Sequence, residues 1–370
     1  MAKSAPPRHP FWLRWTTAAP ILALIPLPFT WGQHLGPVWI AIVAVLLIGS
    51  VLAAVQHAEA VAHKVGEPFG SLVLAVAVTV IEVALIVTLM VSGGEDASTL
   101  ARDTVFAAVM ITCNGIVGAS LLAGSIKHDT VNFNVEGTAT ALASVATLAT
   151  VCLVLPTFTL GAPGPEFTGS QLVFAAVCSL VIYGLFVLTQ TTRHRDFFLP
   201  VDENNELVDM SEDHAEPPST RSAWASFGLL LVSLVAVVGL AKVESKPIEE
   251  GVAALGFPHS FVGVIIAMLV LLPESLSAIN AARRDRVQIS LNLAYGSSMA
   301  SIGLTIPVIA LASIWLPVPL HLGLGSMQIV MLALTVAVGI LTVVPGRATR
   351  MQGALHLWIL FAFIFLAANP

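Results

Sequence analysis

Two stretches decide the fold: residues 70–91, GSLVLAVAVTVIEVALIVTLMV, and residues 261–282, FVGVIIAMLVLLPESLSAINAA. Each is long enough to cross a bilayer as a helix, which takes about 20 apolar residues. Each carries a single carboxylate in the middle of its run, Glu82 in the first and Glu274 in the second. An ionisable group near the bilayer centre is costly and persists as part of an ion path, a proton relay or a counter-ion. Two of them in two halves of one chain point to a shared site.

The rest of the chain is built of similar runs. Of 370 residues, 56% are hydrophobic and 10% charged, and the mean hydropathy is +0.90. These values exclude an ordinary soluble domain and describe a polytopic, all-helical membrane protein. Polar and Gly/Pro breaks leave eleven apolar segments, at 14–31, 37–55, 70–92, 104–125, 135–157, 171–191, 223–241, 261–281, 288–316, 325–344 and 353–368. Pro20, Pro26 and Pro28 interrupt the first. Residues 1–10 show no cleavable signal pattern and read as a short basic tail. Counted on alternate sides of eleven spans, thirteen of the 16 Lys and Arg fall on one face, and only Arg102, Lys242 and Lys246 on the other. The positive-inside rule then puts the amino terminus in the cytoplasm and the carboxyl terminus outside. Cys113, Cys152 and Cys178 all lie in spans and read as small core residues with free thiols and no metal role.

The only long polar segment, 194–222, divides the chain. It holds eight acidic residues, yet Leu207 occupies the position where a calcium-binding loop requires glycine, so it reads as a solvated connector. Five spans lie on each side of it, with the first span as an extra. The expected organisation is a tail and extra helix at 1–36, a five-helix unit at 37–193, the acidic linker at 194–222 and a second five-helix unit at 223–370. Five is odd, so the second unit inserts upside down. Inverted repeats of this kind characterise many secondary transporters, with the site at the midplane between them.

Glu82 and Glu274 each fall in the second span of a unit, about 18 and 20 Å along their helices at 1.5 Å per residue. Each next span carries a polar cluster: Thr112, Cys113 and Asn114 in one, Gly296, Ser297, Ser298 and Ser301 in the other. Desolvation and mutual repulsion both favour protons on such a carboxyl pair, and a hard cation competes for the same oxygens. An empty, doubly charged site is expensive to reorient, so exchange of cation for proton follows. Thr79, one turn before Glu82, with Asn114, Ser297 and Ser301, could complete an oxygen set, and Pro273 would free the carbonyl of Leu269. An all-oxygen set favours Ca²⁺ or an alkali cation over zinc or copper. The bland alternatives are that Asn114 is interhelical glue and that the serines permit close packing. Glu136, with Asn132 and Asn134, reads as interfacial; Gln56, His57, Glu59, His63 and Glu67 read as a cytoplasmic loop, either a solvated surface or an entry vestibule for cations or protons, and His356 as isolated and structural.

Several phrases resemble the cation/proton exchangers of the calcium/cation antiporter superfamily, specifically the bacterial ChaA type. They are Gly66-Glu67-Pro68-Phe69-Gly70, Val78-Thr79-Val80-Ile81-Glu82, Val109-Met110-Ile111-Thr112-Cys113-Asn114-Gly115, Leu272-Pro273-Glu274 and Gly296-Ser297-Ser298-Met299-Ala300-Ser301-Ile302. The resemblance implies paired inverted repeats whose central glutamates, Glu82 and Glu274, bind the transported cation and exchange it for protons. It implies a first-repeat asparagine at Asn114 and second-repeat coordinating positions at Ser297 and Ser301. Val80-Ile81 and Val109-Met110 depart from the broader pattern of Asn-Ala or Leu-Pro and Gly-Ser. The expected partners are inorganic cations (Ca²⁺, or Na⁺ or K⁺), protons and the lipid bilayer, with no nucleic acid and no cofactor. A membrane-embedded enzyme lacks support, since neither a His-Glu-x-x-His nor a Gly-x-Ser-x-Gly motif occurs. A passive channel and a sodium/calcium exchanger remain as rival readings.

Overall fold

The computed structural model describes residues 15–33, 35–66, 69–93, 97–201, 206–207, 218–315 and 319–370, and these are almost wholly helical. The first apolar segment forms a bent pair, α1 (Trp15–Leu24) and α2 (Leu27–Thr30). Pro26 lacks an N–H and disfavours helix at the residue before it, so the break falls there. Among the described residues, ten further helices are long and apolar enough to cross a membrane. Before the linker come α3 (Pro37–Val65), α4 (Phe69–Gly93), and a continuous rod of α5 (Leu100–Met110), a π-turn (Ile111–Ile116) and α6 (Val117–His128). Then follow α7 (Val135–Ala149), joined by a π-turn (Thr150–Val154) to α8 (Leu155–Phe158), and α9 (Gly169–Leu188), prolonged by a third π-turn (Thr189–Arg193). After the linker come α10 (Thr220–Ala254), α11 (Phe261–Arg283), α12 (Val287–Ala312), α13 (Ser326–Val343) and α14 (Arg350–Ala368).

The two sets of five share local chemistry at matching places. α3 and α10 both stop at a glycine with positive φ, Gly66 at 75° and Gly256 at 74°, a conformation open to glycine without steric cost. The fifth helix of each set, α9 and α14, starts with a reciprocal Thr–Gln capping box, Thr168 with Gln171 and Thr349 with Gln352. The spacing of the polar residues repeats as well. Glu82 and Glu274 each stand thirteen residues after the first residue of their helices, Phe69 and Phe261. Asn114 and Ser301 each stand fourteen residues after theirs, Leu100 and Val287.

α4, the α5–α6 rod, α11 and α12 pack together as the centre, and the rod is the most deeply buried of the ten spans. α3 and α10 lie along each other and flank it. At the arginine-rich face a two-stranded antiparallel ribbon, β1 (Thr130–Asn132) with β2 (Arg347–Thr349), joins the end of α6 to the start of α14. Arg350 reinforces the join, donating to Asp129 at 2.8 Å and to the carbonyl of Ser125 at 3.2 Å. α11 and α12 each run through their internal prolines, Pro273 and Pro307, as single helices.

Two expectations need revision. Gln56, His57, Glu59 and His63 form the last turns of α3 and no loop, because nothing breaks the helix before Gly66. His57 is buried there, with Nε2 3.0 Å from the carbonyl of Thr16; Glu67 lies outside the described residues. The start of the linker is docked, since Phe198 is buried edge-on against Phe186 and its carbonyl accepts from Asn292 at 2.6 Å. Of the acidic run 202–216, only residues 206 and 207 are described. Glu136 is exposed in the first turn of α7, where Asn134 caps the helix, as suits an interfacial residue.

Candidate functional site

Glu82 enters the centre from α4 and is 4% exposed. Both of its oxygens are met by hydroxyls from the other set of helices. Ser301 donates to Oε1 at 2.5 Å and Thr305 to Oε2 at 3.2 Å. Ser301 and Thr305 are one turn apart on α12, so a single helix face grips the whole carboxylate. Glu274, 9% exposed on α11, is held differently: its Oε2 is buried and has no hydrogen-bond partner among the described residues. The carboxylates of Glu59 and Glu82 are close enough to act on it electrostatically.

Two spaces separate and connect the glutamates. Glu274 borders a cavity of about 230 Å³ whose wall includes Gln190, Asn292 and Ser297 beside apolar Leu74 and Phe186. Gln190 and Asn292 lie toward the helix ends that carry Arg193 and Arg286, so the cavity extends from Glu274 toward the arginine-rich face. Glu82 borders a second space of about 10 Å³, with Thr79, Ser297 and Ser301 around it, roughly the room one water needs. Val78, Ser297 and Ala300 line both, which places Ser297 in the partition between the two carboxylates.

The structure thus gathers Glu82, Thr79, Ser297 and Ser301 in one place and puts Glu274 across the same partition. Ser298 and Asn114 are turned elsewhere. Ser298 is fully buried with its Oγ 3.9 Å from Cys113 Sγ, against the α5–α6 rod. Asn114 sits in the π-turn, the kind of helix irregularity that recurs at functional sites. Its amide is taken up by α13 and α14: Nδ2 donates to Thr335 at 2.9 Å, and Oδ1 lies 3.1 Å from His356 Nδ1. His356 is therefore part of a buried network and not isolated. Thr305 was missed from sequence although its i+4 relation to Ser301 was a usable signal. Gln190 and Asn292 carry no such local mark. Among the described residues no group of three or more His, Cys, Asp or Glu could hold a metal ion. A cation here would meet a mixed set of carboxylate, hydroxyl and amide oxygens, which suits hard cations.

Residues 35–192 and 225–368 match the profile of the family described as sodium/calcium exchanger protein. The chain belongs to that family. It is 46% identical over 329 residues to the "Putative ionic transporter y4hA" of Sinorhizobium fredii, covering 88% of this chain and 87% of that protein. It is 35% identical over 349 residues to the "Sodium-potassium/proton antiporter ChaA" of Escherichia coli, covering 93% of each. Among solved structures, native YfkE superposes with a TM-score of 0.71 at 18% identity, over 96% of this chain and 99% of that one. The last likeness speaks for the fold alone: a multi-pass, all-helical membrane architecture of two inverted five-helix repeats with one extra helical segment.

Proposed function

We propose that this exchanger is a secondary antiporter that moves an inorganic cation against protons by alternating access. Ca²⁺ is the first candidate, and Na⁺ or K⁺ the alternative suggested by the name of the Escherichia coli relative. Glu82 and Glu274 are the shared groups. The observation that carries the reading is the placement of two carboxylates at one register in two inverted repeats, both buried and bordering spaces that share Val78, Ser297 and Ala300 as lining. A carboxylate clamped by Ser301 and Thr305 and another on a cavity give each ion a different first contact: the cavity leads to Glu274, and Ser297 lies between that oxygen and Glu82. Thr79, Ser297 and Ser301 complete the proposed ligand set beside Glu82, and Ser298 and Asn114, bonded to other groups here, would join it only by turning toward the glutamates. Neutralising the pair with one divalent cation or with protons removes the charge that opposes reorientation in a low-dielectric core.

On this reading residues 37–193 and 223–370 are the two repeats, 194–222 is a tether between them, and the chain sits in a bacterial inner membrane with its arginine-rich face in the cytoplasm. The chemistry is transport and not bond-making. Purified protein in liposomes with an imposed pH gradient, given Ca²⁺, Na⁺ and K⁺ separately, tests it. Cation movement coupled to opposite proton movement is expected; cation flux that leaves internal pH unchanged would establish a channel instead.

A further inference from the structure

The repeat symmetry of the centre is broken at one point. Ser301 and Asn114 occupy the same register in α12 and in the α5–α6 rod. Ser301 bonds the glutamate of the opposite repeat. Asn114 does not: Glu274 Oε2 is without a partner among the described residues, although α11 packs against the π-turn that carries Asn114. The asparagine side chain is engaged at both ends by other groups. Its Nδ2 donates to Thr335, and its Oδ1, which can only accept, requires the proton of His356 on Nδ1. The second imidazole nitrogen, Nε2, then accepts from the hydroxyl of Thr342 at 3.1 Å. Asn114, Thr335, Thr342 and His356 are each no more than 3% exposed, so no water competes for these bonds.

The backbone explains how a histidine from the last helix arrives there. One turn after Asn114 the rod has Gly118, in the register where α12 has Thr305, the second donor to Glu82. A Cβ at residue 118 would come within 2.9 Å of both the Gly353 carbonyl and the His356 Cβ, and one at residue 353 within 2.7 Å of the Leu122 nitrogen. Two glycines therefore let α6 and α14 touch backbone to backbone. The first repeat gives up a donor to Glu274 at this position, and His356 enters in its place but bonds Asn114.

We propose that His356 is a positioning residue: with Thr335 it holds the Asn114 amide away from Glu274, so the Glu274 half of the cation site is completed only when that contact opens. The inference rests on the reading of Asn114 and Glu274 as cation ligands. It makes the two halves of the site unequal, one preformed around Glu82 and one latched.

The test is cation-dependent proton exchange by the full-length chain in liposomes, using whichever of Ca²⁺, Na⁺ and K⁺ the wild type carries. His356→Leu removes the imidazole donor and should lower KM by about two- to tenfold, the equivalent of one buried hydrogen bond. Its kcat should fall, since the ligand no longer lets go. His356→Gln, which can still donate to Asn114 Oδ1, should keep the wild-type KM. Asn114→Ala should raise KM, and in that background His356→Leu should have no further effect. Thr335→Val, releasing the other end of the amide, should repeat the fall in KM and covers the case in which the leucine variant does not fold. A KM that is unchanged or raised in both His356→Leu and Thr335→Val, with Asn114→Ala still impaired, overturns the latch alone. Wild-type KM in Asn114→Ala overturns the ligand reading beneath it.

Discussion

Replacing Glu82 by glutamine separates charge from shape at the tightest point of the site. The amide is isosteric, its oxygen still accepts from Ser301 at the 2.5 Å position, and its new N–H₂ stands where Thr305 Oγ1 can accept at the 3.2 Å position. Packing and folding should therefore survive, and the charge alone is lost. A unit charge about 4 Å away is worth about 4 kcal/mol at an effective dielectric constant of about 20, so cation affinity should fall by about a thousandfold. Ser301→Ala keeps the charge and removes one charge-assisted bond of about 1.5–3 kcal/mol, so its effect should be smaller. The variant should also change the pH dependence. Protons and cation compete for the same oxygens, so affinity rises with pH until the carboxylates are ionised, by up to about tenfold per unit for each proton displaced. A divalent cation displaces two protons in the wild type and one in Glu82→Gln, halving the logarithmic slope. Equilibrium Ca²⁺ binding to purified protein between about pH 5 and 9 measures both quantities. A folded Glu82→Gln protein with wild-type affinity, or with an unchanged slope, would refute the shared-carboxylate mechanism.

Glu274→Gln should abolish coupled exchange while leaving insertion intact, as read by proton movement in liposomes; retained exchange would remove Glu274 from the mechanism. Deleting residues 202–216 should leave basal exchange within about twofold in the same assay, because this acidic run is composed like a solvated tether outside the repeats. Phe198→Ala, in that docked part, should instead destabilise the protein by about 3–5 kcal/mol in detergent melts, since the ring is 5% exposed against Phe186. Gly118→Ala should lower melting temperature and activity together, by forcing α14 off α6.

Sequence revealed the parts of this architecture that local pattern encodes. A carboxylate inside an apolar run has no soluble-surface explanation, so Glu82 and Glu274 stood out, and the repeat placed their helices and clusters in register. Thr79, Ser297 and Ser301 could be proposed because helix periodicity and repeat position constrain them. The orientation of Asn114 could not, since its partner His356 is 242 positions away and meets it only through the Gly118–Gly353 contact. The cavity residues Gln190 and Asn292 were invisible for a similar reason: each looks like an ordinary polar residue near a helix end until the helices are assembled. The bend after Leu24 turned on Pro26, which sequence marks as an interruption without saying whether the rod recovers.

The ribbon of β1 and β2 links a helix from the first repeat to one from the second, and Arg350 and the paired glycines lock the same two helices along their length. α6 and α14 thereby form a strut of mixed parentage. A molecule built of two duplicated halves invites the picture of one half rocking against the other, but such a motion would have to tear this strut. The long pair α3 and α10, again one from each half, lies along the flank of the centre. Cross-linking between the copies thus turns the arginine-rich face into a seam that belongs to neither half alone.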